Sequence, residues 1–263
     1  NSAIQSQMYP IITNQAEVIW YDISNTDESA IEVFTRLNIG KIPLTNAELI
    51  KALFLREANF ERDNANLKQI QIASEWDMIE NTLQQDDFWF FIYNDDNPFQ
   101  YDTRIEFIFD LMYERKLKHS DRYTYNKFAE EFRNLKRPEL TQEIDFSWQK
   151  IKRYFLTIEE WYKDPKWYHL IGYLVSTGEN LANLKEESEN TTKDNFEKYL
   201  HSCIRKKVQV DLDELSYYGD KQEIWNVLLL FNVQTILKSD SADIRFPFHK
   251  LKSRKHWDIE HIA

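Results

Sequence analysis

Asp258, Glu260 and His261 form the tight acid-and-imidazole cluster of this sequence, inside the run His256-Trp257-Asp258-Ile259-Glu260-His261-Ile262-Ala263. Trp257 and Ile259 alternate with Asp258 and Glu260 at the period of a β-strand, which places the two carboxylates on one face. A divalent ion held by such carboxylates, Mg²⁺ or Mn²⁺, stabilises charge on a phosphate. A neutral imidazole beside it can take the proton of an attacking water. Phosphodiester hydrolysis needs both together. An exposed strand end carrying acids and a histidine by chance has the same composition, so the cluster alone is weak evidence.

A second constellation lies upstream, at Phe34-Thr35-Arg36-Leu37-Asn38-Ile39-Gly40-Lys41-Ile42-Pro43-Leu44-Thr45-Asn46-Ala47-Glu48. It reads as a helix, a tight loop and a second helix, with Gly40 free to take the left-handed conformation that ends the first. Arg36, Asn38 and Lys41 are polar groups around a loop whose freed amides could hold an anion. The plainer reading makes Asn38 and Gly40 turn residues between packed helices, and on spacing alone it is favoured. A third feature is charge. Arg245, Lys250, Lys252, Arg254 and Lys255 fall in one stretch with no acid, while the chain as a whole carries −11. The net charge argues against a chain that coats nucleic acid with its whole surface, and an acidic body with a basic stretch at 245–255 makes that stretch a clue to a local partner, which the resemblance given below implies is DNA.

The elements that must position these residues are mostly helices. The chain has 263 residues, 42% of them hydrophobic and 15% aromatic, enough for a substantial core. Four glycines and six prolines are too few for a sandwich or barrel with frequent turns, and no glycine-rich phosphate loop occurs. Thr45 and Glu48 make a capping box opening a helix with Ala47, Ile50, Leu53 and Phe54 at helical spacing. Periodicity predicts further helices over 65–84, 101–117, 123–134, 145–163 (ended by Asp164-Pro165), 167–175, 195–208 and 223–237. The last is apolar nearly all round and is expected to be the most buried. Residues 186–192 read as an acidic polar loop, and Val18–Ile23 as a short strand.

Other candidates weigh less. Cys203 is expected to be an idle buried thiol, and one cysteine excludes a disulfide framework or thiolate zinc site and suits a cytoplasmic protein. Trp161, Tyr162, Trp167, Tyr168 and His169 could stack on bases, but at helical spacing they read as packing. Arg205, Lys206 and Lys207 could touch phosphates or complement a helix C-terminus. The longest apolar run, Val227 to Phe231, is far short of a membrane span.

The stretch Phe34–Lys51 resembles the F-x-R-L-N-x-G-x-x-L-T-x-x-E-L-I-K block of the GmrSD-type restriction endonucleases, which cleave foreign, often modified, DNA. Trp257-x-x-Glu260-His261-Ile262 resembles the opening of that family's HNH nuclease domain. The resemblance implies a mainly α multi-helix bundle, with a short β element near its N-terminus and the first HNH strand at its C-terminus. Residues 1–25 would be a remnant of a ParB-like nucleotide-hydrolysing domain, 26–240 the helical domain and 241–263 the start of the HNH domain. His261 would be the general base and Glu260, with Asp258, would hold the metal. The residues that complete such a site, an Asn and a further His or Asn, would lie beyond Ala263, so these 263 residues alone are expected to be inactive. The ParB-like motif Asp-Gly-Gln-Gln-Arg is absent, so a nucleotide triphosphate would bind mainly through a part not in this sequence. A rival reading, from another class, is a non-catalytic helical module coupling a sensor to an effector. Oligomeric state stays open, a homo-oligomer included.

Overall fold

A computed structural model describes residues 13–14, 44–61, 63–94, 97–239 and 244–252. Thr13 and Asn14 are helical. The described residues from Thr45 to Lys252 form one compact unit. Its helices are α1 (Asn46–Phe54), α2 (Ala65–Leu83), α3 (Asp86–Ile92), α4 (Ile105–Met112), α5 (Tyr123–Phe132), α6 (Glu139–Lys163), α7 (Pro165–Ser176), α8 (Leu181–Asn190), α9 (Lys193–Lys207) and α10 (Lys221–Leu237). Short 3₁₀ turns cover Glu57–Asn59 and Phe248–Lys252. The described residues contain no strand. The expected strands at 18–23 and 257–262 lie outside them.

Two helices organise the rest. α6 is the longest, and it turns Ile144, Ser147, Trp148, Ile151, Phe155, Ile158 and Trp161 inward, a three-and-four stripe that spans the body. The Trp148 indole stacks on Trp76 at 5.9 Å, meets Phe54 edge-on at 5.8 Å, and donates Nε1–H to Glu75 at 2.6 Å. Asp164 then closes α6 and opens α7. Its amide donates to Glu160 O at 3.1 Å, and its carboxylate accepts from the amides of Lys166 and Trp167. Pro165 occupies the first helical position, where its missing N–H costs nothing. α7 is buried continuously from Tyr168 to Val175, because α3, α6, α9 and α10 surround it.

The most buried helix is therefore α7, which corrects the expectation for Glu223–Leu237. α10 buries only Asn226, Leu229 and Val233, one narrow stripe facing α7, and leaves Phe231 68% exposed. An apolar composition without a polar side cannot say which face packs. The expected acidic loop at 186–192 is also corrected, since residues 186–190 end α8. Asn180 caps that helix by accepting from Ala182 N, Lys185 and Glu189 pair across one turn at 2.5 Å, and Leu181 and Leu184 face the core. Only Thr191 and Thr192 remain as connection. α3, Asp-Asp-Phe-Trp-Phe-Phe-Ile, is a helix that the periodicity did not reveal, because Phe88 to Ile92 are all buried. The helix expected over 101–117 is shorter at both ends. α4 finishes in a Schellman turn, with Arg115 N donating to Asp110 O and Glu114 N to Leu111 O, and Glu114 takes φ +48 where glycine is usual.

Trp148 joins α1, α2 and α6 in one aromatic cluster. Trp148→Ala should cost about 3–5 kcal/mol, read as a lower urea midpoint. A change under about 1 kcal/mol would show that the cluster collapses without loss.

Candidate functional site

Arg36, Asn38, Lys41, Asp258, Glu260 and His261 lie outside the described residues. The segment just C-terminal to the first three, and the one just N-terminal to the last three, are both described. Each is tied tightly to the body.

After the upstream loop, α1 begins with the expected capping box. Glu48 N donates to Thr45 Oγ1 at 3.2 Å and Thr45 N donates to Glu48 Oε2 at 2.8 Å. A third group arrives from α4. Glu106, buried, accepts from Ala47 N at 3.2 Å and from Thr103 Oγ1 at 2.8 Å. Burial pushes its carboxyl above the usual range, while those two hydrogen bonds oppose the shift. Asn46 donates to Asp121 O at 2.7 Å, which ties α1 to the start of α5. Lys51 pairs with Asp77 at 2.7 Å and lies over the Trp76 ring. Two carboxylates thus already face the N-terminus of α1, and its Ala47 and Glu48 amides are taken.

Upstream of the acid–histidine cluster, Ile244–Lys252 forms a strap laid on α3 and α7. Arg245 donates to the carbonyls of Tyr162 at 2.6 Å and Lys163 at 3.0 Å, and stacks 5.1 Å from the rings of Tyr162 and Tyr168. Its charge complements the C-terminus of α6. This member of the basic stretch is occupied within the body. Phe246 and Phe248 are buried, and Tyr168 donates its hydroxyl to Phe246 O at 2.8 Å. Phe246 N donates to His169 Nε2 at 3.1 Å, so that nitrogen carries no proton. Nδ1 must then be the protonated one, and it donates to Pro165 O at 2.6 Å. The buried imidazole is held neutral. Burial lowers its pKa, the Pro165 carbonyl opposes that, and Arg245 lowers it further. Gly172 completes the socket, for a β-carbon there would overlap the Phe248 ring.

Sequence reasoning places Tyr168 and His169 in packing but not at this socket. One signal is present: a glycine in the interior of an apolar helix of a chain with four glycines implies close approach by another group. The supposed base-stacking platform is core, with Trp161 and Trp167 both stacked on Phe196 at 5.6 and 5.0 Å. Cys203 is free and buried, as expected. Lys207 at the end of α9 donates to Thr177 O and pairs with Glu179. The described residues contain no group of three or more metal-ligating side chains.

The socket makes two substitutions informative. Gly172→Ala should destabilise by about 1–3 kcal/mol and speed proteolysis within 244–252. A gain in stability, as helix propensity alone would give, would show that Phe248 yields freely. A histidine with its pKa lowered from 6.5 binds fewer protons folded than unfolded. Its contribution is complete above pH 6.5 and is lost as pH falls towards the lowered value. The melting-temperature gap between wild type and His169→Gln should therefore shrink from about pH 7.5 to about pH 5.5; a constant gap would remove His169 from the titration.

Comparison with known proteins gives no match to a protein family, to a curated protein or to a solved structure.

Proposed function

We propose that this chain is the helical middle and the beginning of the HNH unit of a GmrSD-type restriction endonuclease, which hydrolyses phosphodiester bonds of foreign DNA. The observation that carries the reading is the Trp257-x-x-Glu260-His261-Ile262 pattern standing directly after a strap anchored in the helical body. A nuclease unit begun at 241–263 would be oriented by Arg245, Phe246 and Phe248 rather than hung on a free linker. Asp258 and Glu260 offer hard carboxylate oxygens, which suit Mg²⁺ or Mn²⁺. The ion would supply charge neutralisation at the phosphate. His261 takes the proton of the attacking water, and Lys250, Lys252, Arg254 and Lys255 hold the DNA backbone through charge. A nucleotide triphosphate would act through Arg36, Asn38 and Lys41 and a ParB-like part. The helical body couples that part to the nuclease.

The rival, a coupling module without chemistry of its own, is favoured by one feature. The buried carboxyl of Glu106 serves the cap of α1, and that of Asp110 serves an ion pair with Arg115. The two readings separate on a single substitution in the complete protein. His261→Ala should lower DNA cleavage by about 10²–10⁴-fold while leaving salt-sensitive DNA binding intact. Cleavage at the wild-type rate would overturn the nuclease reading and leave the module.

A further inference from the structure

With Arg245 engaged by α6, the described body offers another surface for nucleic acid. A groove of about 770 Å³ runs between the end of α4, the middle of α6 and the length of α8. α6 presents Phe146, Lys150 and Arg153 to it, at i, i+4 and i+7, one stripe about 10 Å long. Phe146 is 66% exposed, whereas Phe155, further along α6, is buried. Lys116 lines the groove from the turn after α4.

The charges are unevenly matched. Asp110 is paired with Arg115 at 3.1 Å and Glu189 with Lys185 at 2.5 Å. Among the described residues Lys116, Lys150 and Arg153 have no acid partner, and Lys150 only lies 5.7 Å from the Tyr113 ring. Glu114 and Glu186 are the acids left without a basic partner. Five cations against four acids leave the groove lining one positive charge in excess, in a chain that is −11 overall. Arg115 lies at its floor, nine-tenths buried between Asp110, Asp121 and the Phe99 ring. Its Nε–H is buried without an acceptor.

An exposed phenyl ring flanked by cations on one stripe is the arrangement that holds unpaired bases. The ring stacks on a base face and the cations follow the backbone. Duplex DNA keeps its base faces covered and could use only the cations. An acidic peptide could pair with the cations but would gain little from the ring.

We propose that the groove between α4, α6 and α8 binds an unpaired nucleic-acid strand, one base on Phe146 and the phosphates on Lys116, Lys150 and Arg153. The proposal rests on the DNA-handling reading and gives it a contact surface. The test is fluorescence anisotropy of the 263-residue chain with a labelled oligothymidylate of about 20 nucleotides, a duplex of equal length and polyglutamate. Three phosphate contacts predict a log–log salt slope of about −2. Lys150→Glu with Arg153→Glu should weaken oligothymidylate binding more than ~10-fold, and Phe146→Ala about 10-fold with the slope unchanged. Lys198→Glu with Arg205→Glu on α9, cations that do not line the groove, should change nothing. Melting temperatures should stay within about 2 °C, because the substituted side chains are exposed. Binding that survives the groove reversal overturns the site while leaving DNA handling in place. Equal affinity for duplex or polyglutamate overturns the choice of partner, and no binding at all overturns the proposal. Failure of the nuclease reading itself shows separately, in cleavage by His261→Ala.

Discussion

Phe248 is buried because residue 172 has no side chain. Everything near the C-terminal side of the body depends on that contact. With the ring seated against α7, the backbone of Phe246 comes within reach of His169 and Tyr168, and Arg245 reaches the last carbonyls of α6. Those groups are polar and would be costly to bury unpaired. They are satisfied only when the two phenylalanines are in place. Apolar seating and polar pairing therefore require each other, which makes the strap part of the core rather than an arm lying on it.

The N-terminal side is built on the opposite principle, in which buried polar groups choose the partner and apolar groups fill the space. Glu106 reaches from α4 to the Ala47 amide of α1, and Asn46 reaches from α1 to Asp121 before α5. Each satisfies a backbone group that a helix end or turn leaves open. Phe54 then packs edge-on against Phe128, Phe132 and Trp148. Leucines could have filled that volume in several arrangements, but a carboxylate aimed at one helix end fits a single one.

Much of this is legible where a residue does local work. Thr45 and Glu48 announce α1, Asp164 and Pro165 mark the corner between α6 and α7, and the period of α2 gives its span nearly to the residue. Legibility ends where the deciding partner is distant. α3 and α10 are both apolar on every side, yet one is buried and the other half exposed, since burial depends on how many helices surround each. The second half of α8 looks like a loop because its glutamates dominate the composition, while the helix's inward face is carried by Leu181, Leu184 and Lys185 in its first half. Arg245 looks like part of a free basic stretch because nothing local shows that two carbonyls 82 and 83 residues earlier await it. The acid–histidine cluster and the Arg36–Lys41 loop are the most legible chemistry, and they are positions the described structure reaches only up to their edges.

Asp164 has a mechanical consequence. The same residue ends α6 and starts α7, and Arg245 clamps the two carbonyls just before it. Corner, strap and both helices can then shift only as one stiff piece, like an elbow in plaster. α6 has 25 residues, about 37 Å of rod. Its far end is fastened where Thr141 holds Asn59 O and, just before the helix, Arg137 holds Phe60 O. A small tilt at the strap would arrive there as a displacement beside α1, magnified by the length of the lever.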